Sequence, residues 1–126
     1  MKATVVEIPF NEWSRKRLQA GVKCATTRRF PYGKPGDRFQ AVGRWWVLTD
    51  VRRIRLEEVA ERYYKEEGAE SPEEFIEVWK SIHPRAGWTP KRWVWIHFFQ
   101  PAPTLLGMKG NVRESVDISQ DEGVRP

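Results

Sequence analysis

Apolar and polar positions change period several times along the chain, and each change marks a new element. "KATVVEI", residues 2–8, is β-branched and predicts a first strand. Asn11 then caps a short helix carrying Trp13 and Leu18, with Gly21 at its C-terminal turn. "YGKPGD" is turn chemistry, and Pro35-Gly36 is its strongest punctuation. "RFQAV" and "WWVLTDVRRI" flank Gly43-Arg44, which predicts a hairpin closed by a two-residue type II′ turn. In the second arm Trp46, Leu48 and Asp50 alternate with Trp45, Val47, Thr49 and Val51, as expected when one face is drier.

The period then lengthens. Leu56, Val59, Ala60 and Tyr63 share one side of a helix that should stop at Gly68. "SPEEF" opens another helix: Ser71 is the cap, Pro72 takes the first helical position and Glu74 closes a capping box. Phe75, Val78, Trp79 and Ile82 form its apolar stripe, and Pro84 sets its end. "KRWVWIHFF" returns to an aromatic strand, and a weak strand is expected at "NVRESVDI", residues 111–118.

This order is α+β. The strands are too few and too aromatic for a doubly wound parallel sheet. A small, mostly antiparallel β-barrel with helices packed on its sides fits better. The 126 residues suit one compact domain, drawn at 1–100, with 101–126 as a C-terminal extension, docked or flexible.

Composition sharpens the picture at three points. The net charge is +5, the segment from Pro101 holds three basic against four acidic residues, and the body therefore carries +6, so a polyanion is the leading electrostatic partner. Seven Trp is high for this length; most are expected in the core, and any left exposed offer stacking faces. The single cysteine, Cys24, rules out an internal disulfide and is expected as a small buried residue. With only His83 and His97 beside it there is no zinc set, and no EF-hand spacing appears, so no metal or cofactor is expected. "MKATVVEIPF" is too short and interrupted for a signal peptide or a membrane span, which makes a cytoplasmic protein without membrane contact the plain expectation.

The chemistry concentrates in "AGVKCATTRRF", where Lys23, Thr26, Thr27, Arg28 and Arg29 follow a glycine with no acidic neighbour. Gly21, Lys23, Thr26 and Arg28 fit the pattern Gly-x-Lys-x-x-Thr-x-Arg. "PGDRF" adds a Gly36-Asp37 pair entering the next strand, "EEG" and "SPEEF" follow, and "WVWIHFF" stands where a closing strand should. Over Val5 to Phe99 the order and spacing of these motifs resemble the ASCH domain family, whose fold is similar to the PUA RNA-binding barrel. The resemblance implies a cleft that accepts RNA or a nucleotide-like ligand. Some ASCH proteins are amidohydrolases that deacetylate acetylcytidine with Lys, Thr and Glu, which the motifs carry to Lys23, Thr26 and Glu67, with Glu66 one residue away.

Elementary chemistry leaves the roles open. Thr26 is a poor nucleophile unless a neighbour takes its proton. Lys23 does so only if its pKa falls from about 10.4 toward about 7–8. Burial and Arg28 push it down, while a close Glu67 pulls it back. A neutral Lys23 serves as base; a charged one stabilises an oxyanion. Glu67 either orients the base through the cytosine amino group or protonates the leaving amine. For ligand or RNA contact the candidates are Arg28, Arg29, Arg53 and Arg55, with Trp88 or Trp45 stacking a base. Three functions compete: an RNA- or nucleoside-binding module, an amidohydrolase (with a metal-independent ribonuclease as a variant), and a scaffold in which this segment merely closes the barrel.

Overall fold

The computed structural model describes residues 4–103. The proposed strand at 111–118 and nearly all of the extension lie outside them. In chain order the elements are α1 (Glu12–Gln19), β1 (Ala25–Arg28), β2 (Arg38–Ala41), β3 (Arg44–Arg55), α2 (Leu56–Arg62), α3 (Tyr64–Glu67), α4 (Pro72–Ile82) and β4 (Trp93–Pro101). The four strands form one antiparallel sheet in the order β1-β4-β3-β2, so the architecture is α+β.

The expected barrel does not close among the described residues. Its edges are the short strands β1 and β2, which have four residues each. The expected first strand shrinks to one parallel bridge, Val5 to Arg38, held by Val6 N–H donating to Arg38 O and Arg38 N–H donating to Thr4 O, both 2.8 Å. Three residues later Pro9 offers no N–H to continue a ladder.

The β2–β3 hairpin also departs from expectation. Ala41 pairs with Arg44, so the turn residues are Val42 and Gly43, with φ of 48° and 74°. Two positive φ values mark a type I′ turn, one residue earlier than the expected type II′. The I′ twist matches the strands, which outweighs the cost of a left-handed valine. β3 is the hub, pairing with β2 at one end and with β4 along most of its length, across a bulge at Thr49.

Local signals set the helices. Asn11 accepts from Ser14 N–H at 2.9 Å, and α1 ends with Val22 N–H donating to Arg17 O and Gly21 N–H to Leu18 O, both 3.1 Å. This tight stop puts Lys23 directly before β1. The helix expected to run to Gly68 is instead split at Tyr63, whose ring packs edge-on against Phe98 at 5.3 Å. Gly68, at φ 100°, then turns the chain with Arg17 packed against its Cα side, where a Cβ would meet Arg17 Cδ at 3.1 Å. Ser71 caps α4 by accepting from Glu74 N–H at 3.0 Å; the Glu74 carboxylate takes Glu70 N–H at 2.7 Å.

Two cores result. Ala25, Ile54, Val59, Phe75, Trp79 and Ile96 pack the sheet against α2 and α4. Ile8, Leu18, Phe39, Trp46, Leu48 and Phe99 form the second, with Phe99 edge-on to Phe39 at 5.3 Å and to Trp46 at 5.5 Å. Only Trp46 and Trp79 of the seven tryptophans are buried, fewer than expected; Trp93 is openly exposed. Cys24 is exposed as well, contrary to expectation, because its backbone rather than its thiol is the anchored part.

Asp37 fastens the "PGD" turn. Its carboxylate accepts from Lys34 N–H at 3.0 Å, Thr4 N–H at 3.2 Å and the Lys34 ammonium at 3.3 Å. Burial alone would raise its pKa, but the Lys34 and Thr4 donors together hold it below the ordinary carboxylate value. A carboxylate depressed in the folded state contributes stability that is complete above the unfolded pKa of about 3.9 and fades as pH falls through the folded value. Asp37→Ala should therefore lower the urea midpoint at neutral pH, by an amount corresponding to about 1–3 kcal/mol. The gap to wild type should narrow below about pH 4; an equal midpoint at pH 7 would contradict this role.

Candidate functional site

A cleft of about 350 Å³ opens where β1, α1, α3 and the C-terminal half of α4 meet. β1 is a sheet edge, so the cleft wraps around it, and adjacent residues of the strand face opposite sides. Thr27 turns toward α3, while Thr26 and Arg28 turn toward the loops holding Phe10 and Tyr32.

At its base lies a buried polar array. Lys23 Nζ donates to the Glu67 carbonyl at 2.8 Å and lies 3.4 Å from Glu67 Oε1. Thr27 Oγ1 donates to Glu67 Oε2 at 2.6 Å. Lys23 is 3% exposed and Glu67 4%, so neither charge has water to rely on. Burial pushes the Lys23 ammonium below its ordinary pKa, opposed by the Glu67 carboxylate and helped by Arg28. Burial likewise pushes Glu67 up, opposed by Lys23, Thr27 and Arg28. The two shifts run toward each other, because burial penalises the charged form of both groups while their mutual attraction resists it.

The backbone holds this array in place. Cys24 N–H donates to Glu66 O at 2.7 Å, tying the start of β1 to the end of α3. Arg17 stacks on Trp13 at 3.8 Å, donates to Gly68 O at 2.9 Å and pairs with Glu74 at 3.3 Å, joining α1 to α3 and α4. On the other side of β1, Arg28 donates to Pro9 O at 2.6 Å and to Thr26 Oγ1 at 3.3 Å. His97, fully buried, accepts from Tyr32 N–H at Nε2, 3.0 Å, which leaves Nδ1–H to donate to Thr26 O at 3.2 Å. Burial depresses its pKa, in keeping with this neutral form.

Of the residues singled out from sequence, the structure brings Lys23, Thr26, Glu67, Arg28 and Arg29 to one cleft. It leaves Arg53, Arg55 and Trp88 outside. Arg53 and Arg55 lie over Trp93 at 5.0 and 4.2 Å, and Trp88 packs into the helical core against Phe75. Arg53 and Arg55 stand at the C-terminal end of β3, opposite Trp95 and Trp93 of β4, and Trp88 lies in the segment joining α4 to β4. Between the adjacent candidates Glu66 and Glu67, the buried one is Glu67.

Sequence reading gave no role to Thr27, whose hydroxyl is the one bound to Glu67. Strand alternation carried the signal, because a site on the α3 side of β1 needs the odd-numbered threonine. It also missed the apolar wall. Val78, Trp79 and Ile82 belong to the apolar stripe predicted for α4, yet only Trp79 is buried, and the stripe continues into the cleft opposite Phe30 and Tyr32. Among the described residues no group of three or more His, Cys, Asp and Glu is placed to hold a metal ion, and no helix is long and apolar enough to cross a membrane.

Solved structures share this arrangement of strands and helices. An ASCH domain from Lactobacillus crispatus superposes with a TM-score of 0.63 at 11% identity, covering 79% of each chain. The fold is that of an ASCH domain. The hypothetical protein PH0355 superposes with a TM-score of 0.57 at 20% identity, over 81% of this chain and all of that one. No family model and no curated protein sequence matches the chain. On the ASCH fold, then, β1 and α3 supply the polar base of this cleft and α4 its apolar wall.

A buried ion pair in so small a domain is costly, and removing one partner strands the other. Lys23→Met should destabilise the protein by about 3–5 kcal/mol, and the double variant Lys23→Met with Glu67→Leu should recover much of that loss. Urea denaturation of wild type, Lys23→Met, Glu67→Leu and the double variant measures this. Strictly additive losses would show that the two side chains do not interact.

Proposed function

We propose that the cleft binds a nucleoside-type ligand and hydrolyses an amide on it, as in removing acetyl from an acetylcytidine-type nucleoside. The observation that carries this reading is the Lys23–Glu67–Thr27 array, buried at the base of a cleft with apolar and aromatic walls. The volume is within the range of small-ligand pockets, and aromatic walls suit a flat base.

The geometry allots the steps. Glu67 Oε2 already receives the Thr27 hydroxyl hydrogen, so it takes that proton as Oγ1 bonds to the acyl carbon. A lysine ammonium has three N–H groups. Two point at Glu67 O and Oε1, and the third is available to the developing oxyanion. As the C–N bond breaks, Glu67 returns the proton to the leaving nitrogen. Water then cleaves the threonine ester by the same route, releasing acetate and restoring the hydroxyl. Thr26, whose oxygen accepts from Arg28, contacts the ligand in this scheme.

Acetate release from acetylcytidine tests the proposal. The wild-type chain should turn over, and Glu67→Gln and Thr27→Val should each lose about 10²–10⁴-fold while staying folded. Thr26→Val should keep most of the rate; the reverse pattern would make Thr26 the nucleophile, and no release by wild type would end the hydrolytic reading. The pH profile carries a second expectation. Activity needs Glu67 ionised and Lys23 charged, so the acid limb should lie above the ordinary Glu range and the alkaline limb below the ordinary Lys range. A plateau as wide as the two unperturbed groups would allow is the contrary outcome.

A further inference from the structure

The apolar stripe of α4 runs from the floor of the cleft to its mouth. Phe75 and Trp79 are buried, whereas Ile82, one turn later, is 49% exposed. His83 ends the stripe as the C-terminal cap of α4 and lines the same cleft. Its ring stacks on Trp79, with centres 4.1 Å apart and planes 26° from parallel. Its Nδ1 lies 3.1 Å from Trp79 O, and its backbone N–H donates to the same oxygen at 2.9 Å. The stack and the two bonds hold the imidazole in position and in plane.

These contacts also choose its tautomer. A carbonyl oxygen only accepts, so Nδ1 carries the hydrogen and Nε2 keeps a lone pair. His97 commits both ring nitrogens to protein groups. His83 does not: among the described residues nothing hydrogen-bonds to its Nε2, and that nitrogen is not sealed from solvent. Burial pushes the His83 pKa below its ordinary value; the Trp79 carbonyl opposes this, and Arg29 and Arg92 add to it. The neutral ring therefore prevails at pH 7, with its acceptor at the cleft mouth.

A wall that is apolar over two turns and then presents one fixed acceptor suits a ligand whose deep part is flat and whose outer part has a hydrogen to donate. An ionised phosphate oxygen has no such hydrogen. In the nucleoside-type ligand proposed for the cleft, on which this step rests, the part beyond the base is the sugar and its donors are hydroxyls. We propose that His83 Nε2 accepts a hydrogen bond from a sugar hydroxyl, which makes His83 the residue that selects a glycosylated base over the free base. A ligand without that hydroxyl leaves the nitrogen covered and unpaired, at a loss of about tenfold in affinity.

Binding of cytidine, cytosine and deoxy analogues of cytidine, each lacking one hydroxyl, tests this on the full chain without any hydrolysis. Cytidine should bind about tenfold more tightly than cytosine, and removal of one particular hydroxyl should abolish most of that advantage. His83→Phe keeps an aromatic ring beside Trp79 but has no nitrogen, and in it cytidine should bind no better than cytosine. A role confined to capping α4 would weaken both ligands alike and keep the preference. The wild-type chain gives a second readout, because its two histidines give few imidazole nitrogen signals in NMR. The Nε2 signal of His83 should move with cytidine and stay in place with cytosine. Equal affinity of wild type for the two ligands, an unchanged preference in His83→Phe, or an unmoved Nε2 signal would overturn this role and leave the hydrolytic reading standing. No binding of either ligand would remove both. Failure to release acetate from acetylcytidine, with the preference intact, would remove hydrolysis alone. If His83→Phe does not fold, the nitrogen signal decides.

Discussion

The geometry of the cleft depends on one interlock: the end of a single helical turn, α3, fastened to the first residues of an edge strand. Cys24 N–H reaches Glu66 O and Lys23 Nζ reaches Glu67 O, so backbone groups that α3 cannot satisfy internally are satisfied by the segment entering β1. Four residues make no stable helix by themselves. The amine that neutralises the Glu67 carboxylate thus also holds its peptide carbonyl, and position and charge are set by one side chain. Arg17 closes the arrangement from outside, filling the space beside Gly68 that any side chain there would claim.

This economy has a cost. A lysine and a glutamate with almost no solvent contact lose hydration that their attraction only partly returns, and apolar residues of similar size would serve the fold at least as well. Fold stability therefore does not explain them. The hydrolysis proposed for the cleft would explain them, with Glu67 as the proton acceptor and Lys23 at the oxyanion. The sheet shows the same allocation on a larger scale. Its inner face is spent on the helical core, while the other face carries His97 and Phe99, buried at one end, and Trp93 and Trp95 beside Arg53 and Arg55 at the other.

Much of this was legible where the cause is local. Asn11 and Ser71 as caps, Gly21 and Gly68 as helix stops, the β-rich run at Trp93 and the Lys23 segment all follow from residue chemistry next door. Lys23, Thr26 and Glu67 were named from motif order, and the cleft gathers them. What was not legible depends on contacts distant in sequence. The break at Tyr63 needs Phe98, and the choice of Thr27 needs the face on which α3 lands. The assignment of Val78 and Ile82 to the cleft wall needs α4 to overhang the edge of β1. Periodicity reports that a helix has an apolar side; it does not report whether that side meets protein or ligand. The Val42-Gly43 turn fails differently, since a valine at positive φ breaks the local rule and is set by strand register.

The most direct test of the central claim is a crystal structure of the protein with a slowly cleaved acylated cytidine bound. The account predicts the base between Trp79 and Tyr32, with the acyl oxygen about 3 Å from Lys23 Nζ and the acyl carbon facing Thr27 Oγ1. A ligand seated elsewhere, or one whose acyl group points away from the Lys23–Glu67 pair, would contradict it.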